Sequence, residues 1–89
     1  MIEIRRIDNL NCPMVICDFC SEPILSDGNV LWNPDSDRAP VMFAHKRCDR
    51  QRGKTFWMGL PDFLVRIVHN SRTDWKKAVK HVERWGEWA

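Results

Sequence analysis

Four side chains of this 89-residue chain stand at spacings that suit metal ligation. Cys17 and Cys20 form a C-x2-C pair, and His45 and Cys48 form an H-x2-C pair after a gap of 24 residues. Thiolate and imidazole are ligands that Zn²⁺ prefers, and four of them close a tetrahedral structural site. A tight turn brings the sulfurs of Cys17 and Cys20 onto one ion. Residues three apart lie on one side of a helical turn, so His45 and Cys48 reach the same ion. The expected cofactor is therefore one structural Zn²⁺ held by Cys17, Cys20, His45 and Cys48. The fourth cysteine, in Asn11-Cys12-Pro13, is left as a buried or idle thiol.

Two other uses of the cysteines stay open at this stage. Four cysteines allow two disulfides in three connectivities, but that leaves the register of His45 unexplained, and a reducing compartment disfavours it. An iron–sulfur site would take Cys12 in place of His45 as fourth ligand.

Pro23 follows the first pair, and a hairpin fills the gap before the second. A knuckle, a hairpin and then a helix carrying the last ligands make the layout called a treble clef. The segments Cys17-Asp18-Phe19-Cys20-Ser21-Glu22-Pro23-Ile24 and Phe43-Ala44-His45-Lys46-Arg47-Cys48 resemble the first zinc module of a LIM domain. The resemblance covers residues 15–50. It implies zinc binding through Cys17, Cys20, His45 and Cys48, and a role without catalysis. A LIM domain sets a second zinc module directly after the first, and no cysteine follows Cys48 here. LIM-type partner choice is therefore not implied.

The motifs of zinc and nucleotide enzymes are missing. A catalytic zinc keeps one open position, whereas this set supplies four ligands. A zinc deaminase needs His-x-Glu ahead of Pro-Cys-x-x-Cys, and no His-x-Glu occurs. An HNH-type nuclease built on a treble clef needs a further catalytic histidine, and residues 41–45 offer only His45. Neither a Gly-x4-Gly-Lys phosphate loop nor a Gly-x-Ser-x-Gly elbow is present. The expectation is a protein that is not an enzyme and takes no small-molecule substrate.

The elements that must position the ligands read as follows. Ile2, Ile4 and Ile7 suggest a short strand at the start. Asn29-Val30-Leu31-Trp32 and Val41-Met42-Phe43-Ala44 are rich in strand formers and flank the polar stretch 33–40, which predicts a β-hairpin over 29–44. Pro61 and Asp62 suit the first turn of a helix. Leu60, Phe63, Leu64, Ile67 and Val68 then fall on one helical face. After Asn70-Ser71-Arg72, Thr73 or Asp74 can cap a second helix with the stripe Trp75, Ala78, Val79, Val82 and Trp85. Two helices joined by so short a break predict a helical hairpin with both stripes in the core. His69, near the end of the first helix, reads as a capping or packing residue, and His81 as a solvated one. The whole reads as one small α+β zinc-binding domain over 1–89. A treble-clef-like region over 1–55 precedes two amphipathic helices over 60–88.

Charge and aromatic content bear on partners. The net charge of +2 averages an acidic front and a basic back. Residues 1–44 carry three basic and seven acidic groups, while residues 45–89 carry eleven basic and five acidic ones. Lys46, Arg47, Arg50, Arg52 and Lys54 form one basic run, and Lys76, Lys77, Lys80 and Arg84 form a second. With Phe56 and Trp57 beside the first run, a basic face that meets nucleic acid or a nucleic-acid-associated protein is expected. A protein-interaction adaptor is the alternative, with Trp57, Trp85 and Trp88 as anchors. The five Trp are otherwise expected to fill the core. No stretch approaches the ~20 apolar residues of a membrane helix. No apolar signal core follows Met-Ile-Glu-Ile-Arg-Arg, so the expected setting is the reducing cytoplasm.

Overall fold

The computed structural model describes residues 1–35, 37–49 and 56–85, with side chains as far as residue 81. The described residues form five strands, a 3-10 turn and two helices. The strands are β1 (Ile2–Ile7), β2 (Leu10–Val15), β3 (Gly28–Trp32), β4 (Met42–His45) and β5 (Phe56–Gly59). The 3-10 turn is Lys46–Cys48, and the helices are α1 (Leu60–Asn70) and α2 (Trp75–Trp85). Two antiparallel sheets result: the ribbon β1–β2, and a three-stranded sheet in the order β4-β3-β5.

The strand at the start is present, but it has a partner that the sequence reading missed. Asp8 and Asn9 both adopt positive φ, at 50° and 65°. These are the conformations of a two-residue turn whose twist matches paired strands, and Asn and Asp tolerate them better than other side chains. The turn sets Ile7 opposite Leu10 and Ile2 opposite Val15. Pro13 hides this second strand from a pattern reading, because proline is confined to edges, and both strands of a two-stranded ribbon are edges.

The hairpin expected over 29–44 forms, with Gly28 opposite His45 and Val30 opposite Phe43. A third strand was not anticipated. Phe56–Gly59 adds to the other edge of β3, pairing Trp32 with Phe56 and Asn29 with Gly59. Three strands let β3 bury both of its faces, and Asn29, Val30 and Leu31 are all buried. The core is built there: Val30, Leu31, Phe43 and Ala44 pack with Cys17, Ile24 and Leu60. Phe63 of α1 meets Phe43 edge-on, with ring centroids 5.8 Å apart.

Both helices form where predicted. Gly59 precedes α1, with Pro61 and Asp62 in its first turn. Asp74 rather than Thr73 caps α2, its Oδ1 accepting from the Lys77 N–H at 3.1 Å. The helical hairpin with two buried stripes needs correction. Helix α1 packs on β3 and β5 through Leu60 and Phe63, while Leu64, Ile67 and Trp75 stay exposed. The first-turn contacts seat α1 on the sheet. The expectation that tryptophan fills the core is corrected likewise among the described residues. Trp32 is half-buried, and Trp57 and Trp75 are exposed.

Candidate metal centre

The first ligand pair sits on a knuckle between β2 and β3. Ile16 bridges to Pro23 across it. Inside the knuckle the Cys17 N–H donates to Glu22 O at 2.9 Å, and the Ser21 N–H donates to Cys17 O at 3.0 Å. Ser21 takes φ 64° to close this turn. The Phe19 N–H points at Cys17 Sγ, 3.4 Å away. Such N–H donors favour a thiolate.

The second pair sits where β4 runs into the 3-10 turn. His45 ends the strand and Cys48 ends the turn, so the three-residue spacing places both on one side, as the sequence implied. The turn is tied to the sheet by residues that carried no ligand signal. The Asp49 N–H donates to His45 O at 3.1 Å. Its Oδ2 accepts from buried Asn29 Nδ2 at 3.0 Å. The knuckle is held to β4 in the same manner: Asp18 N–H donates to Phe43 O at 2.8 Å, and Asp18 Oδ2 accepts from Phe43 N–H at 2.7 Å. Asp18 lies inside the C-D-F-C motif, and its place between two ligands is the one sequence signal that could have found it.

These two supports bring Cys17, Cys20, His45 and Cys48 together, with one ligand atom of each within 4.8 Å of the others. Cys20 Sγ lies 3.4 Å and Cys48 Sγ 3.8 Å from His45 Nδ1. A tetrahedral ion with bonds of ordinary length would separate sulfur from nitrogen by about 3.6 Å, so the donors fit one ion. The other imidazole nitrogen, Nε2, lies 2.9 Å from Pro23 O. An Nε2–H donated to that carbonyl fixes the tautomer and leaves the Nδ1 lone pair for the metal, the usual outer support of a ligating histidine. Cys17 and His45 are buried, Cys48 is half-buried and Cys20 is exposed, so the site meets water at Cys20. Cys12 lies outside the cluster, buried on β2 with its Sγ 3.7 Å from Leu10 O. The iron–sulfur alternative needed it as a ligand, and the geometry separates it from the others.

The thiols show what the cluster lacks without a cation. Burial raises the Cys17 thiol, but the backbone N–H groups of His45, Phe19 and Cys20, with the His45 ring, outweigh it and bring the pKa to about 6. Burial and the neighbouring sulfurs of Cys17 and Cys20 push Cys48 up to about 11. Three crowded sulfurs do not all ionise unless a positive ion sits among them. The sign of the pH dependence follows. At neutral pH a metal must displace a proton from Cys48, so affinity rises with pH until that thiol is itself ionised. Cys17 is already a thiolate above about 6 and adds its own proton cost only below that pH. We expect metal affinity to fall at least about tenfold per pH unit between pH 8 and 6 and more steeply below, as read by competition with a chromophoric chelator.

Gly28 is the closest approach in the site's frame. A Cβ there would stand 2.9 Å from Ala44 O and 2.9 Å from Ile24 Cγ2. Backbone cannot yield as a side-chain tip does, and Gly28 is the register partner of His45. Gly28→Ala is expected to cost about 1–3 kcal/mol of stability and to weaken metal retention in the same protein, measured by denaturant titration and metal analysis.

The remaining predicted contact residues fall into two sets. Lys46, Arg47, Lys76, Lys77 and Lys80 are exposed, as is Trp57 on β5. Lys46 Nζ lies 3.5 Å from Asp27 Oδ2, and Lys76 Nζ stands over the Trp75 ring at 5.9 Å. Arg50, Arg52 and Lys54, the side chain of Arg84, and Trp85 and Trp88 as anchors lie outside the described side chains. The sequence reading placed Arg50, Arg52 and Lys54 on or after a ligand-bearing helix, and the described part of that helix is the one 3-10 turn. His69 and His81 are exposed, which corrects the packing role expected of His69. Among the described residues no helix is long and apolar enough to cross a membrane.

The fold and site together define a small α+β protein with a Cys3His cluster able to hold one metal ion. Comparison with family models, with curated proteins and with solved structures finds no match.

Proposed function

We propose that the protein is a small regulatory binding module without catalytic activity, organised by one structural Zn²⁺. The observation that supports the metal is the cluster of Cys17, Cys20, His45 and Cys48 within 4.8 Å. Zinc suits three thiolates and one imidazole in tetrahedral order, and four protein ligands leave it no open position for water. When bound, the ion supplies charge to hold three thiolates together and cross-links the knuckle to the turn. The arrangement is similar to a treble clef and to the first zinc module of a LIM domain, with a 3-10 turn standing where a helix would carry the last ligands. Thiolate ligation suits a reducing setting such as the cytoplasm.

The partner in this reading is nucleic acid or a nucleic-acid-associated protein. Its support is the exposure of Lys46, Arg47, Lys76, Lys77 and Lys80, together with exposed Phe56 on an outer strand. Three phosphate contacts on duplex DNA would cost about 40-fold in affinity between ~50 and ~200 mM salt. Oligonucleotide titration at those two concentrations is the test. Absence of binding at ~50 mM, or binding with no salt slope, removes nucleic acid from the reading.

The adaptor reading has a specific observation in its favour. Trp57 shares a pocket with Asp27 and Asp62, and carboxylates repel phosphate. Trp57 therefore suits a protein partner better than a nucleic-acid strand.

A further inference from the structure

The pocket beside Trp57 is built from three elements. Its volume is about 370 Å³, and it is lined by Asp27, Asn29, Lys46, Trp57, Gly59 and Asp62, among others. In the β3–β5 register Asn29 stands opposite Gly59 and Leu31 opposite Trp57. Side chains alternate along a strand, so Asn29, Gly59 and Trp57 share one face of the sheet. Asp27 comes in from the residue before β3, and Asp62 from the first turn of α1. Gly59 leaves the floor clear: a Cβ there would meet nothing nearer than Asp62 Oδ2 at 3.8 Å and Pro61 Cδ at 3.9 Å.

The chemistry of the lining is one-sided. Asp27 and Asp62 accept and cannot donate. Asp62 has no hydrogen-bond or ion-pair partner among the described residues. Asn29 is 2% exposed, and its Oδ1 has no donor. Of the lining donors, Lys46 is held by Asp27 in a long, exposed pair that contributes little to stability, Asn29 Nδ2 is spent on Asp49, and the Trp57 indole offers one N–H. An aromatic residue and two carboxylates, one of them without a partner among the described residues, make a site short of positive charge and of donors to Asp62. A planar cation answers both needs. Its face stacks on an indole, and its edge gives paired N–H bonds to a carboxylate. An ammonium offers a point charge without the plane. A phosphate would meet the carboxylates.

We propose that this pocket takes the guanidinium of an arginine side chain from a partner protein, stacked on Trp57 and hydrogen-bonded to Asp62. This deepens the binding-module reading and rests on it, since it supplies the acidic counterpart by which a basic, nucleic-acid-associated protein would be recognised.

The test uses the metal-loaded, ¹⁵N-labelled protein, read at the Trp57 indole N–H and the Gly59 amide. The probes are a short arginine-bearing peptide, the same peptide with citrulline or lysine in its place, and guanosine monophosphate. The arginine peptide is expected to shift both signals saturably. Citrulline keeps the shape without the charge and is expected to bind at least about tenfold more weakly, as is the arginine peptide to Asp62→Asn. Gly59 has φ −62°, which any residue adopts, so Gly59→Leu fills the floor without backbone strain and is expected to abolish the shifts while the remaining spectrum stays native. Equal binding of arginine and citrulline peptides overturns the proposal. So does tighter binding of the lysine peptide or of the nucleotide, a failure to saturate, or a Gly59→Leu variant of unchanged affinity. Zinc content and the salt-dependent oligonucleotide titration on the same samples report on the parent reading independently.

Discussion

Chelating the metal from the purified, reduced protein is expected to unfold residues 15–49. Structural zinc in small fingers contributes about 10–16 kcal/mol of apparent free energy at neutral pH. A domain of this size is typically stable by only about 5–15 kcal/mol, so loss of the ion takes away a quantity as large as the whole margin. The route is visible in the fold. The knuckle reaches the sheet mainly through Asp18 on Phe43, and the 3-10 turn mainly through Asp49 on Asn29. Without the ion, three sulfurs are left crowded around one imidazole. Amide exchange should therefore accelerate first at Cys17 to Ile24 and at His45 to Asp49. Helices α1 and α2 are expected to lose less, since α2 lies away from the cluster, and far-UV circular dichroism should retain part of its helical signal. Full protection of the knuckle amides after chelation would separate the fold from the metal.

The second large effect is a contrast between cysteines. Cys17→Ser keeps the size of the side chain but replaces a soft thiolate with a hydroxyl that does not ionise near neutral pH. It also leaves the N–H groups of Phe19, Cys20 and His45 aimed at a poorer acceptor. Loss of metal and unfolding of the knuckle are expected together, at a cost of several kcal/mol set by the metal contribution. Cys12→Ser removes a thiol that is buried on β2 and outside the cluster. It is expected to cost about 1 kcal/mol, within the ordinary range of point substitutions, and to leave the metal stoichiometry unchanged. Equilibrium denaturation and metal analysis on the two variants check the contrast. A severe Cys12→Ser beside a mild His45→Ala would exchange the roles of those two residues.

The four clustered residues were legible because ligand spacing is local chemistry: a turn and a helical turn can each be read from three intervening bonds of sequence. The β3–β4 hairpin was legible for a similar reason, since two runs of strand formers flank a loop of turn residues. Helices α1 and α2 followed from the 3.6-residue period and from Pro61 and Asp74. What was not legible depends on long-range pairing. Strand β5 exists because Phe56–Gly59 meets β3, and nothing in Phe-Trp-Met-Gly alone distinguishes a strand from the end of a loop. Strand β2 was masked by Pro13, and its turn, Asp8-Asn9, lacks the glycine that usually announces a hairpin. The supports of the site, Pro23 O, Asp49 and Asn29, are ordinary residues whose role appears only when the turn is set against the sheet. The exposed stripe on α1 was misread because periodicity reports that a helix has an apolar face and not that a neighbour covers it.

The contrast between the halves of the chain also takes a spatial form. Of the acidic front, Asp18 is spent on holding the knuckle to β4, and Asp27 faces the basic turn through Lys46. Among the described side chains, exposed positive charge also lies on Arg6, Arg47, Arg66, Arg72 and the α2 lysines. The Trp57 pocket carries the opposite sign.

The proposed zinc ion on Cys17, Cys20, His45 and Cys48 underlies every other expectation for this protein. Elemental analysis of freshly purified, reduced protein tests it most directly. Close to one equivalent of zinc per chain is expected, lost in Cys17→Ser and retained in Cys12→Ser. Less than about half an equivalent in the native protein, under conditions where zinc is available during expression, would contradict it.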